Sequence, residues 1–429
     1  MKLAFLTLSV LFFFPLASFA QEPSEGWQRL RDMPEVRSEM EAAAIGDKIY
    51  VVGGLNNGGK ATNTVFIYDT KEDIWSLGTP MPLSLHHAGT TSFNEKLYVV
   101  GGYLDAWRPS NSLLIYDSKT DTWTNGHDMP TARGALTTQF VDGRLYAIGG
   151  FGSNTLSENE VYDPKTDTWE TKVKMPTPRE HLASAVIEDQ LYLIGGRGEQ
   201  VNLNSNEMYD YKTGSWIILD PLPTARSGLT ASVLGGAIFV FGGESGLQTF
   251  EENESYLPGV GWFSQQPMPI SRHGLASVTV ENNIYVIGGG LIPGASFSGI
   301  TEAYHNTVFK NIIKTLEIKE IEVSKPEPSL AENILEKGTE TAKDVLEKGT
   351  EIGQSAIEKL AETKKIVDQK NLEAKEIVEQ KGSEAIQEIE EIILGDDQMM
   401  YVGMGVIILI IIIAVIAVAA RKKSKPEDL

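Results

Sequence analysis

Short apolar runs recur along this chain, and each ends in two glycines: IYVVGG, LYVVGG, LYAIGG, LYLIGG, IFVFGG and IYVIGG. The pairs begin at Gly53, Gly101, Gly149, Gly195, Gly242 and Gly288, in steps of 48, 48, 46, 47 and 46 residues. Runs rich in Val, Ile and Tyr that stop at Gly predict buried strands. A second aromatic follows each pair, at Tyr68, Tyr116, Tyr162, Tyr209, Tyr256 and Tyr304. Polar turns such as DTKEDIW, DSKTDTW and DPKTDTW then lead to Trp75, Trp123 and Trp169, and Trp216 and Trp262 continue the series. Such turns suit hairpins. After each Trp comes a Met-Pro or Leu-Pro step, then usually an Arg. Each repeat therefore holds four short strands. A unit of this length buries its apolar face only against its neighbours.

Trp27 precedes the first glycine pair, and no Trp follows the sixth. The segment around Trp27 is therefore expected to supply the outer strand of the last repeat. That seam joins the two ends and removes an exposed sheet edge. The glycine pairs read as tight strand exits, which need a positive φ or close backbone approach. They are not phosphate loops, because no G-x-x-x-x-G-K-[ST] occurs.

A glycine pair, a spaced Tyr and then a Trp, six times over, resemble the kelch β-propeller family across roughly residues 24–310. The resemblance implies an all-β fold: a six-bladed kelch β-propeller, each blade one four-stranded antiparallel sheet.

The flanks differ in composition. Residues 1–20 carry Lys2, an apolar run and small residues at Ser18 and Ala20, which reads as a secretory signal peptide. The propeller is expected over 21–310 and a linker over 311–328. A Glu/Lys-rich helical stalk is expected over 329–395, where ILEKGTETAKD, VLEKGTEIGQS and AIEKLAETKKI repeat with a period of eleven. As one helix the stalk would extend about 100 Å, although Gly338, Gly349, Gly353 and Gly382 weaken a continuous helix. It reads as a solvated spacer, a self-associating coiled coil or an amphipathic helix on the membrane surface. Residues 399–420 are 22 apolar or small residues without a charge, long enough to span a bilayer as one transmembrane helix. Arg421, Lys422, Lys423 and Lys425 follow and place residues 421–429 in the cytoplasm. The expectation is a single-pass membrane protein with its propeller outside the cell.

Charge and cysteine content narrow the chemistry. The formal net charge is −21, and no stretch of this acidic chain attracts nucleic acid. The chain has no cysteine. Galactose oxidase-like kelch enzymes need a Tyr–Cys crosslink beside copper, which this chain cannot make. The E-x-x-x-D-x-x-x-H iron pattern of kelch specifier proteins is also missing. Six His without Cys, and no H-E-x-x-H, offer no metal site by spacing. No cofactor is expected.

Candidate ligand residues cluster in one register. An Arg stands sixteen residues before five of the six glycine pairs, as Arg37, Arg133, Arg179, Arg226 and Arg272, while the second repeat carries Leu85. In kelch ligand-binding domains, arginines at this register line the pocket, so the resemblance implies an anion-binding funnel of guanidinium forks. The alternative is that each Arg bonds loop carbonyls and closes its turn. His86, His87, His181 and His273 crowd the same register, with Glu39 and Glu180. They read as wall residues, or as a set for proton transfer at a sugar. Kelch sialic-acid mutarotases keep that enzymatic alternative open. The loops after the glycine pairs include Leu104–Ser112, Arg197–Ser205 and Leu291–Gly299, on the same face as the arginines. There Trp107 and Arg108 could stack on a sugar or peptide, or pack within their own loop. The favoured reading is a binding module for an extracellular protein, peptide or glycan. A sugar- or acid-modifying enzyme is the alternative.

Overall fold

The computed structural model describes residues 26–306, which form six four-stranded antiparallel sheets. In the third blade the strands are Thr137–Val141, Arg144–Ile148, Asn159–Asp163 and Thr168–Thr171, running from the axis to the rim. The expected signal peptide, linker, stalk and transmembrane helix lie outside the described residues. Among the described residues no helix is long and apolar enough to cross a membrane.

The ring closes where the sequence places the seam. Gly26–Arg29 pairs antiparallel with Thr301–His305, setting Trp27 opposite Tyr304. The outer strand of the sixth blade thus comes from the N-terminal side of the first. The Trp27 ring lies 4.9 Å from Tyr304 in its own blade and 5.6 Å from Phe241 in the fifth.

The core lies between blades rather than inside them. One apolar cluster joins Tyr146, Ile148 and Val161 of the third blade to Leu191, Leu193 and Tyr209 of the fourth. Equivalent clusters occupy the other interfaces. No single blade can bury its faces alone, which is the physical content of the repeat.

Three rings of hydrogen bonds tie the blades at three radii. Nearest the axis, the amides of Glu39, His87, Ala135, His181, Gly228 and Gly274 each donate to the preceding member's carbonyl at 2.8–3.0 Å, and Glu39 donates to Gly274 to close the circle. Farther out, the second glycine of each pair donates to the next blade at the Arg-register carbonyl, as Gly102 does to Arg133 and Gly289 to Arg37, at 2.8–3.0 Å. A Cβ on Gly54 would stand 2.8 Å from the Ser38 carbonyl oxygen, and its φ is +87°. Only glycine meets both conditions cheaply. At the rim, each Trp indole donates to a carbonyl just beyond the neighbouring outer strand. Trp75 bonds Arg31, Trp123 bonds Thr79, Trp169 bonds His127, Trp216 bonds Val173, Trp262 bonds Asp220 and Trp27 bonds Gln266, at 2.7–3.2 Å.

Three rim seams gain an Asp two residues before the Trp. Asp73, Asp121 and Asp167 each accept from the Tyr of their own blade at 2.6–2.7 Å. Each also accepts a backbone amide from the neighbouring blade, at Arg31, Thr79 and His127.

Removing residues 26–33 from the full chain should abolish the cooperative thermal transition, because the sixth blade loses its outer strand and the seam loses the Trp27 ring that packs on Tyr304 and Phe241. A melting curve that superposes on that of the intact chain would refute this. The Asp seams carry a pH dependence. The His127 amide, then the Tyr162 hydroxyl and the His127 ring, pull the Asp167 carboxyl from 3.8 down to about 2. A folded-state pKa below the unfolded one gives stability that is full above about pH 4 and lost as pH falls toward 2. Asp167→Ala should therefore lower Tm by a few degrees at pH 7 and by less at pH 2, measured by circular dichroism on the full chain.

Candidate functional site

The arginines are not where the resemblance implied. Arg133, Arg179, Arg226 and Arg272 are each 0% exposed, and Arg37 is 2% exposed. Each of the first four turns into its own blade and meets a Glu of the third strand. Arg133 donates to Glu160 at 2.5 Å, Arg179 to Glu207 at 2.5 Å, Arg272 to Glu302 at 2.8 Å, and Arg226 to Glu254. Arg133 also donates to the carbonyls of Thr131 and Ala147, and Arg179 and Arg226 repeat that pattern. Burial lowers the pKa of all four guanidiniums, and the paired Glu opposes that shift. These guanidiniums are sealed inside the blade and paired there with a carboxylate, so they form no funnel for an outside anion. The reading in which each Arg bonds carbonyls and closes its own turn describes Arg133, Arg179 and Arg226, while Arg272 bonds Glu302.

The pairing leaves a trace in the repeats. The third-strand residue facing the Arg is Glu160, Glu207, Glu254 and Glu302 in the last four blades. In the second blade both partners are apolar, Leu85 and Leu114, and both are buried. In the first blade Phe66 takes the Glu position, and the Arg37 guanidinium lies 5.5 Å from its ring centroid. Arg37 instead donates to Glu35 at 2.5 Å, whose side chain is 61% exposed. A shallow cleft bounded by Glu35, Val36, Arg37, Asn56, Asn57 and Gly58 opens there. Arg37 is thus the one member of the five whose acidic partner faces solvent.

The axial ring carries the ionisable groups instead. Its members sit two residues after the Arg register, and all six have φ between +50° and +62°. That left-handed geometry is strained for the non-glycines Glu39, His87, Ala135 and His181. It turns each amide along the ring. Ring closure brings together residues far apart in sequence. His87 Nε2 lies 3.2 Å from Glu39 Oε2, and the rings of His87 and His181 are 4.9 Å apart. Outside the ring His86 Nδ1 meets His87 Nδ1 at 2.5 Å. His181 Nδ1 meets Glu180 Oε2 at 3.0 Å, and Arg197 donates to Glu180 at 2.7 Å and to Glu244 at 3.3 Å. His273 Nδ1 stands 3.4 Å from both Glu39 and Glu244. The sequence placed four of these histidines with Glu39 and Glu180 in one register. It did not single out Arg197 or Glu244, whose only signal is their place directly after a glycine pair.

Protonation in this cluster is divided. Burial, against the pull of Glu39, holds His86 down to about 4 and His87 down to about 3, so both are neutral at ordinary pH. Burial opposes the Glu39 charge, but the surrounding His87, His273 and His181 outweigh it and keep its carboxyl below the usual range. Burial also opposes a charged His273, but Glu39 and Glu244 prevail and raise it. Glu41, farther along the channel wall, is pushed up to about 8 by burial and by the Glu39 charge. Below the ring the axis holds a cavity of about 40 Å³ lined by Glu39, Glu41, His87, His181 and neighbouring leucines. That is room for a few waters and far below the volume of a small-molecule pocket.

The loops above the ring are different in kind. Trp107 is 58% exposed, yet its ring lies 4.7 Å from His86, 5.2 Å from His87 and 5.3 Å from Tyr103. Ala106 and Trp107 both have positive φ, so the loop holds the indole over the histidines at a backbone cost. Arg108 is exposed and opens the return strand of the same loop. Trp107 thus packs within its loop and still offers a face. Around it Val201, Leu247, Leu291 and Ile292 stand exposed on three further loops of that face.

A six-sheet ring with this seam is a six-bladed β-propeller. Residues 39–243 match the family model described as the KLHDC2/KLHL20/DRC7 Kelch-repeats domain, and the propeller of this chain is a kelch-repeat domain. Kelch-like protein 34 of Homo sapiens is 36% identical over 64 residues, 15% of this chain and 10% of that protein. Kelch-like protein 25 of Rattus norvegicus is 42% identical over 50 residues, 12% of this chain and 8% of that protein. The alignments thus span about a tenth of these relatives' length. The solved "Structure of YjhT" aligns at a TM-score of 0.57 and 18% identity, covering 63% of this chain and 95% of that one, a likeness of fold.

Arg226→Leu alone should destabilise the propeller by about 3–5 kcal/mol, because Glu254 is left charged and buried. Arg226→Leu/Glu254→Leu should recover most of that loss, since Leu85 and Leu114 already fill these positions in the second blade. Denaturant unfolding of wild type, both single variants and the double variant measures the coupling. A double variant as unstable as the sum of the singles would show that the pair is not the unit.

Proposed function

We propose that this chain is a membrane-tethered, extracytoplasmic interaction module, and that the loop face of the propeller binds a protein partner. The observation that carries the reading is the ring of exposed apolar tips on that face: Trp107, Val201, Leu247, Leu291 and Ile292. Isolated exposed apolar residues are ordinary on a protein surface. Several on one face around a charged floor mark a contact surface. Loops on a rigid scaffold are where recognition usually sits. The acidic floor, with Glu39, Glu180 and Glu244 against Arg197, favours a partner presenting positive charge to the centre and apolar groups to the rim. The uncharged run at 399–420 and its basic flank support tethering, and the Glu/Lys-rich stretch supports display at a distance. A glycan docking on Trp107 and Arg108, both exposed on that face, is the alternative occupant of the same surface. Modification of a sugar inside the channel is disfavoured, because about 40 Å³ does not admit one.

The test compares two triply substituted chains by crosslinking on intact cells. Trp107→Ser/Leu247→Ser/Ile292→Ser removes the loop-face tips. Leu77→Ser/Val173→Ser/Ile218→Ser removes exposed apolar residues at the outer edges of blades. The loop-face variant should lose at least tenfold in crosslinked partner, and the edge variant should keep it. Equal crosslinking by the loop-face variant and the wild type would overturn the reading.

A further inference from the structure

We propose that Glu39, His87 and His181 form a binding site for a divalent transition-metal ion of the Zn²⁺ type at the mouth of the propeller axis. Each offers one ligand atom, and these atoms all lie within 4.8 Å of one another. Two bonds of about 2.0–2.1 Å at a tetrahedral angle bring ligand atoms to roughly 3.3 Å. The carboxylate and His87 Nε2 already stand at 3.2 Å. His181 alone has to close, by up to about 1.5 Å.

Four further observations point to a cation. Two histidines and one carboxylate are the borderline donor set that suits Zn²⁺ and related ions, with a position left for water. That position opens on the axial cavity of about 40 Å³. Each histidine has its other nitrogen engaged: His181 Nδ1 by Glu180 and His87 Nδ1 by His86. Nε2 is left as the ligand atom in both, and Glu180 is braced by Arg197. This is how partners behind a metal site orient imidazoles. Finally, three carboxylates, Glu39, Glu180 and Glu244, stand against two basic partners, Arg197 and His273, so negative charge is left over at the ring. The six-residue ring fixes the backbone of all three ligands, so the site is held in place before any ion arrives.

The test uses the untagged full chain in detergent, stripped with chelator and titrated with ZnCl₂ by calorimetry. One ion per chain is expected. His87→Ala and His181→Ala should each weaken binding at least 100-fold in chains that still melt cooperatively. Glu180→Gln keeps all three ligands and should weaken binding about tenfold, so it gives an answer even if an alanine unfolds the ring. His127→Ala, on an exposed histidine paired with Asp167 at a rim seam, should change nothing. Cobalt(II) titration followed in the visible should show a four- or five-coordinate spectrum in the wild type and lose it in His181→Ala. Zinc binding that persists at full strength in folded His181→Ala and in Glu180→Gln, or no stoichiometric binding by the wild type, overturns the proposal.

Discussion

Everything in the propeller depends on how closely neighbouring blades approach near the axis. Six wedge-shaped sheets close a circle only if their inner ends nearly touch. The chain meets that demand with backbone, because side chains are too large there. The second glycine of each pair hydrogen-bonds the next blade directly. Two residues past the Arg register, six left-handed residues pass a hydrogen bond around the axis and back to the start. Once the backbones are locked at this radius, the wedge angle follows. The interblade apolar clusters and the rim tryptophans then fill the space that angle leaves.

The buried Arg–Glu pairs follow from the same constraint. A strand that begins against a neighbour's backbone exposes carbonyls at its turn, and these need donors in a dry place. The guanidinium supplies several donors at once, and the third-strand Glu balances its charge. The second blade omits both partners and substitutes Leu85 and Leu114, so the pair is one solution to the packing rather than a requirement of the fold. The first blade keeps Arg37, replaces its Glu by Phe66, and reaches outward to Glu35. The variations are correlated within each blade, as expected when two positions share one physical task.

The period, the strand order and the Trp27 seam were legible in the sequence because each depends on local pattern repeated six times. The role of the arginines was not. Their partners lie 27 to 30 residues away, inside another strand. The signal was present in the recurrence of Glu160, Glu207, Glu254 and Glu302 at one register. It can be read only after third-strand residues are seen to face inward toward the Arg rather than outward to solvent. The axial cluster was half legible. The register grouped Glu39, His87, His181 and His273, but no spacing rule joins residues 48 and 94 positions apart. Ring closure makes them neighbours. Arg197 and Glu244 gave less warning still, since they sit in loops that differ from blade to blade.

That difference between loops and ring bears on function. The rings that hold the blades together consist of backbone and of residues recurring in register. They are indifferent to what the loops present. The axial ring is the exception, because its six positions are geometrically equivalent yet hold Glu, His, Ala, His, Gly and Gly. The left-handed backbone favours glycine at every one of them. Two positions accept that, and a third takes the smallest side chain. The other three pay a conformational cost to place a carboxylate and two imidazoles facing one another. Closure of the propeller does not need these groups, as Gly228 and Gly274 demonstrate. Nor do they bury much apolar surface. Ionisable side chains kept at strained positions, where glycine would serve the fold better, point to a task at the channel mouth that the scaffold itself does not set.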